Sequence, residues 1–216
     1  AELHHILTNE SVRALVTRLD AIPAMPEHLQ NIHLELERES PDLKLVGEMV
    51  EQDIGLSATL MKVVNSSFFG FYDKIATPSR AVVLLGADIL KGLIVGRRFF
   101  KRLEGVDLGR YSVDRLWSHC LQAGAFSRKI AAMEHGDNDF LDNCFIAGFL
   151  HDVGKLIFLT QMNELYQPVI KAANSLGGPV ADHEQDILGV THAEIGAYLL
   201  GLWGFNEDVV NGVWGH

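Results

Sequence analysis

Cysteine is scarce in this chain: Cys120 and Cys144 are its two among 216 residues. Two are too few for a disulfide framework, and both fall within apolar helical patterns, so buried free thiols in a reducing cytoplasm are expected. Long hydrophobic runs are lacking too. Apolar stretches are broken by Lys, Arg or Gly well short of 18 residues, which excludes a membrane-spanning helix. The opening AELHHILTNE has no basic segment followed by an apolar one, so it is no secretory signal. It also lacks an initiator Met, and the chain reads as a piece excised from a longer protein. Excess positive charge is missing as well. A net charge of −10 and a pI of about 5.4 argue against nucleic-acid backbone or anionic lipid as partners. One local exception is GRRFFKR, where Arg97, Arg98, Lys101 and Arg102 form either a solvated helix face or an anion site.

Period-two alternation is scarce, and nearly everything that remains reads as helix. Ser40-Pro41 and Thr77-Pro78 each place a capping residue before a proline at a helix start. Thr191 and Glu194 form a capping box, and Asn206 followed by Glu207 and Asp208 is a further start. Gly86, Gly136, Gly177-Gly178 and Gly204 are stop signals. The helical period lapses at LEGVDLGRYS, residues 103–112, so the pattern predicts an all-α fold in two lobes, 1–108 and 109–216, packed as one unit. There is no internal repeat.

Ten histidines carry most of the possible chemistry. His4, His5, His28, His33, His135 and His183 lie on polar stretches and are expected to be solvated. His119 follows Leu116 and precedes Ala123, Phe126 and Ile130 at 3-4 spacing, which places it on a buried stripe. His216 continues the Val209, Val213 stripe, and His192 sits in the first turn opened by Thr191. His151 lies beside Asp152 in the apolar run FIAGFLHDVGKLIF. A carboxylate there needs a partner, because burying it alone costs several kcal/mol or more.

Imidazole and carboxylate suit zinc, iron or manganese, and in helical bundles such ligands reach an ion from facing helices. Neighbours on a helix point about 100° apart, so His151 and Asp152 share an ion only if it lies at the edge between their faces. Lys155 shares their face if the helix continues past Gly154, either as a cation holding an anionic ligand or as a surface partner of Asp152. Gly154 leaves room for a ligand or a close helix. FFGFY, residues 68–72, is either core or a partner-binding patch.

His119, HDVGK at 151–155, His192 in THAEIGAYLL and His216 resemble the spaced histidines of the HD superfamily of metal-dependent phosphohydrolases. EQDIGLSATLMKVVNSSFFGF (51–71) and IATPSRAVVLLGADILKGLIV (75–95) resemble the N-terminal signature of its HD-related output domain branch, HDOD. The resemblance covers about residues 20–216. It implies an HD-like helical bundle with an additional N-terminal helical lobe. It also implies a bacterial signalling role, often downstream of a response-regulator receiver, in a family where many members have lost catalytic residues and work through protein contacts.

Position by position, the resemblance makes His119, His151 and Asp152 first-metal ligands. His192 and His216 match second-metal ligands of the HD-GYP cyclic-di-GMP phosphodiesterase branch, and Lys155 matches that branch's lysine. The superfamily's closing aspartate would fall beyond His216. That branch has no counterpart of the NSSFFGF half, which favours HDOD.

Three functions compete. The first is an output domain with protein partners and a vestigial metal site. The second is a phosphohydrolase or cyclic-dinucleotide phosphodiesterase, with Asp152 and Lys155 as its catalytic pair. The third is a hydrogen-bonded polar cluster of His119, His151 and Asp152 without metal. The output reading leads, and with it little or no turnover is expected.

Overall fold

The computed structural model describes residues 27–66, 69, 71–103, 112–134 and 137–216. Among these every regular element is a helix and no strand occurs, so the fold is all-α as the pattern predicts. His4, His5, His135 and Gly136 lie outside the described residues, as do Phe68 and Gly70 of the aromatic cluster and residues 104–111 of the expected lobe boundary.

In order, the helices are α1 (Glu27–Leu36), α2 (Leu43–Gln52), α3 (Ile54–Val64), α4 (Pro78–Arg102), α5 (Val113–Glu134), α6 (Asn138–Leu150), α7 (Val153–Gln161), α8 (Asn163–Leu176), α9 (Val180–Leu188), α10 (His192–Leu202) and α11 (Glu207–Trp214). They belong to two compact units. One is drawn from Pro23–Arg98 and Leu121–Phe149, the other from Phe99–Cys120 and Leu150–His216.

In the first unit, α2 starts two residues later than Ser40-Pro41 suggests. Asp42 is its cap, because a carboxylate can take two orphan N–H groups at once, here those of Lys44 and Leu45 at 3.0 and 3.1 Å. Gly86 interrupts as expected: at φ 78°, ψ 174° it breaks the helical conformation, so that α4 is two helical segments joined across a kink. Arg97 of GRRFFKR is no anion site. Its guanidinium lies 3.3 Å from Asp53, whose other oxygen caps α3 through Leu56 N–H. Phe69 packs edge-on against Phe145 at 5.2 Å, whereas Tyr72 is fully exposed, so the aromatic cluster is divided between core and surface.

The stripe expected on α5 is overturned. Phe126 and Ile130 are 55% and 62% exposed, and the buried face is instead Trp117, Cys120, Leu121, Ala125 and Ala131. Backbone proximity decides this. A Cβ on Gly124 would lie 2.7 Å from the Phe145 carbonyl, and one on Gly148 would lie 2.8 Å from Gly124 Cα. The glycines of α5 and α6 therefore face each other, and Phe126 and Ile130 of α5 turn outward. Cys120 is buried and Cys144 half-buried, and the two form no disulfide.

In the second unit, α10 packs on α7 and α11, and α8 packs on α7 and α9. Helix α10 is apolar on almost every side, from Ala193 to Leu200, and is accordingly buried. Its capping box forms as expected: Thr191 Oγ1 accepts from Glu194 N–H, and Glu194 accepts from Thr191 N–H at 2.7 Å. Asn206 caps α11. The stretch Asn138–Gln161 does have the length and apolarity of a membrane span, contrary to the sequence reading, but most of it is buried inside the protein and it breaks at His151-Asp152.

Candidate metal centre

His151 and Asp152 are not on a continuous helix. They form a turn between α6 and α7, and α7 begins at Val153 with Asp152 preceding it at φ −92°, ψ 10°. The 100° constraint of a helix therefore does not apply, and both side chains reach one point. The turn is held against the first turn of α10 by Gly154, where a Cβ would lie 1.9 Å from the His192 carbonyl oxygen. That approach delivers His192 to Asp152. Helix α11 supplies His216 at its end, and the first half of α5 supplies His119.

Asp152, 4% exposed, is the centre of the cluster. Its Oδ2 lies 3.4 Å from His151 Nε2 and 3.6 Å from His119 Nε2, and the two imidazole nitrogens are 3.1 Å apart. Its Oδ1 lies 3.6 Å from His192 Nε2 and 3.8 Å from His216 Nε2, which are 3.0 Å from each other. Each trio has its ligand atoms within 4.8 Å of one another. Lys155 Nζ is 2.7 Å from Oδ1 as an ion pair, but without hydrogen-bond geometry, so that buried oxygen has no hydrogen bond. All five residues anticipated as ligands, and Lys155, thus come together in one unit. The notion of Lys155 as a surface ion-pair partner needs correction, since Asp152 is buried.

A metal ion fits these residues. Ligand atoms about 2.0–2.2 Å from one ion stand roughly 2.8–3.6 Å apart for right-angle to tetrahedral geometry. The His119–His151–Asp152 trio falls within that range, and the His192–His216–Asp152 trio is slightly wider.

Tautomers point the same way. His216 Nδ1 donates to the Val213 carbonyl at 2.7 Å, and His192 Nδ1 donates to Glu184 Oε2 at 2.5 Å. In neutral rings both Nε2 atoms are then bare, with their lone pairs facing each other and a carboxylate oxygen. Such a trio is repulsive without a cation in its midst.

Glu184 was missed from sequence, where it sits in the polar ADHEQD. It is fully buried, and it takes three donors: His192 Nδ1, His192 N–H at 2.7 Å and Tyr166 O–H at 2.6 Å. A carboxylate behind a ligating imidazole fixes its tautomer and orientation.

The titrations follow from burial and charge. Burial alone would raise the Asp152 carboxyl, but the His151 and His216 rings, when they carry a proton on Nε2, and the Lys155 ammonium overcome it and hold it well below the usual carboxylate range. Burial, reinforced by the Asp152 charge, pushes the Cys120 thiol up to about 12, so it is no thiolate ligand at neutral pH. His192 is lowered, chiefly by burial, which outweighs the Glu184 carboxylate.

That lowering sets a pH dependence. Below about 6.5 the unfolded chain takes up a proton at His192 that the folded chain refuses, so stability falls as pH falls through that value toward the lower folded pKa. Metal-free protein is expected to melt at progressively lower temperature from about pH 7.5 to 5.5, with a shallower slope in His192→Asn. Equal slopes in the two proteins would count against the assignment.

The family model described as the HDOD domain matches residues 22–216. An uncharacterized protein of Treponema pallidum is 29% identical over 206 residues; the match covers 94% of this chain and 39% of that protein, so the chain spans about two fifths of its relative's length. A crystal structure of an HDOD domain protein of unknown function from Geobacter sulfurreducens has a TM-score of 0.73 at 23% identity, covering 98% of this chain and 70% of that one. A Shewanella amazonensis structure named as a candidate phosphohydrolase has a TM-score of 0.73 at 22% identity, covering 96% and 72%. At these identities the structural likeness establishes the fold alone.

Proposed function

The chain belongs to the HDOD domain family, and from that premise we propose that it is a bacterial signalling output domain, acting through protein contacts, that keeps a divalent-metal centre on Asp152. The observation that carries the metal part of this reading is the pair of bare Nε2 atoms, His192 and His216, 3.0 Å apart and facing Asp152 Oδ1. His119, His151 and Asp152 would hold one ion, and Asp152, His192 and His216 a second. Iron, manganese and zinc all suit this donor set. A protein with an upstream receiver, working in the cytoplasm, is the setting in which such a domain makes sense.

The runner-up is a metal-dependent phosphohydrolase or cyclic-dinucleotide phosphodiesterase. It is favoured by Lys155, whose ammonium stands at the same carboxylate and would offset the charge of a phosphoryl group. A bound divalent ion would supply a water of lowered pKa and polarise a phosphoryl oxygen. The residues' own part is to orient the ion through His192 and Glu184 and to place a cation beside it.

The deciding experiment is a phosphodiesterase assay with added manganese or iron on a chain extended past His216, alongside Asp152→Ala and His151→Ala. Negligible turnover with retained metal is expected. Metal-dependent turnover of about 1 per second or more, lost in both variants, would make the protein an enzyme instead.

A further inference from the structure

Within the second unit a cavity of about 360 Å³ is lined from α5, α7 and α8. Apolar groups make up most of its wall. Leu159 lies one helical turn past Lys155 on α7, and Tyr166, Ile170 and Ala173 recur at 4-3 spacing on α8, so they share one face. Tyr166 adds ring surface, because its hydroxyl is engaged with Glu184 at 2.6 Å.

Charge at this wall is accounted for with one exception. The Lys155 ammonium stands 2.7 Å from Asp152 Oδ1 and is balanced by it, and His119 belongs with the same carboxylate. Arg115 is different. It reaches the cavity from the exposed first turn of α5; its backbone N–H donates to Ser112 Oγ at 3.2 Å, but its guanidinium meets no acid among the described residues.

One surplus positive charge beside an apolar wall calls for a ligand with one negative charge and a mainly apolar body. A carboxylate is the monoanion that a guanidinium fork holds through two parallel N–H···O bonds. The second charge of a dianion would find only Lys155, which Asp152 already occupies. The volume lies at the low end of small-molecule pockets, so the body is one short chain rather than a long acyl tail.

We infer that this cavity binds a compact aliphatic monocarboxylic acid, its carboxylate on the Arg115 guanidinium and its chain against Leu159, Ile170 and Ala173. The inference goes beyond the reading above. It gives the acid no place among the metal ligands and no part in any chemistry, and it holds whether or not Asp152 and the imidazoles carry an ion.

Calorimetric titration of the purified chain with octanoate tests this, first without metal and then after manganese loading. Acetate carries the charge without the chain, octanol the chain without the charge, and octyl phosphate the same chain on a more highly charged head. Octanoate is expected to bind at least about 100-fold tighter than acetate, because its longer chain leaves water. It should bind at least about tenfold tighter than octanol or octyl phosphate.

Arg115→Gln should weaken octanoate about tenfold and leave octanol unchanged, with partial recovery in Arg115→Lys. Ile170→Trp fills the apolar wall and should weaken octanoate and octanol alike by about tenfold or more, with manganese content unchanged. Ala173→Leu fills the same wall more gently, should the tryptophan variant not fold.

Octanoate no tighter than octanol, or untouched by Arg115→Gln or by the filling variants, overturns the inference. Octyl phosphate tighter than octanoate overturns it as well, since the site would then prefer the higher charge. Octanoate that binds only after manganese loading would sit on the ion rather than on Arg115, and that too is fatal. Octanoate binding to metal-free protein, weakened in Arg115→Gln, supports the inference even if the chain holds no manganese.

Discussion

Replacing Gly154 by alanine is expected to destabilise the protein by about 3 kcal/mol, at the upper end of what overpacking costs. Two effects oppose each other. Alanine favours helix over glycine by about 1 kcal/mol, and Gly154 is the second residue of α7. Against this, the new Cβ would lie 1.9 Å from the His192 carbonyl oxygen, 2.7 Å from its carbon and 2.9 Å from its Cα. All three are backbone atoms of a buried helix start, so no side chain can swing aside. The steric term wins, and α7 and α10 must separate. For a chain of this size the melting temperature should drop by roughly 6–12 °C. Because the same separation draws His192 from Asp152, manganese affinity should fall with it. An unchanged or raised melting temperature would mean that the close approach of these helices is not real.

Glu184→Ala is expected to cost about 3–5 kcal/mol, since it strands three buried donors at once: His192 N–H, His192 Nδ1–H and Tyr166 O–H. Glu184→Gln separates stability from positioning. It keeps the shape and one acceptor oxygen, so most of the stability should survive. Its amide cannot serve all three donors, however, and His192 loses the partner that fixes its tautomer. Metal affinity should fall by about 10–100-fold, the usual effect of removing a partner behind a ligating imidazole. Thermal melts and manganese titration read the two quantities independently. Full manganese affinity in Glu184→Gln would show that Glu184 is only a packing residue.

Much of this arrangement was legible in the sequence, for identifiable reasons. Thr191 with Glu194, and Asn206 before two acidic residues, announce helix starts through local hydrogen bonding, and both helices begin there. The convergence of His119, His151, Asp152, His192 and His216 was anticipated by spacing and resemblance.

The face of α5 was misread because apolar size was taken as the guide, whereas Gly124 opposite Gly148 lets backbone proximity choose the buried side. The His151-Asp152 turn was illegible because Phe149, Leu150, Val153 and Leu156 continue an apolar helical pattern straight across it. Glu184 had one available signal: Val180, Glu184 and Leu188 recur every four residues, which puts a carboxylate on the inward stripe of α9. Its partner His192, eight residues on, belongs to the next helix, and only the fold brings them together.

The account turns on whether Asp152 and its four imidazoles hold a divalent ion, and metal content per chain after manganese loading and desalting measures that directly. At least about one manganese per wild-type chain is predicted, falling close to zero in Asp152→Ala, because that carboxylate is common to both trios. Wild-type protein without metal, or Asp152→Ala with as much metal as wild type, would contradict the account.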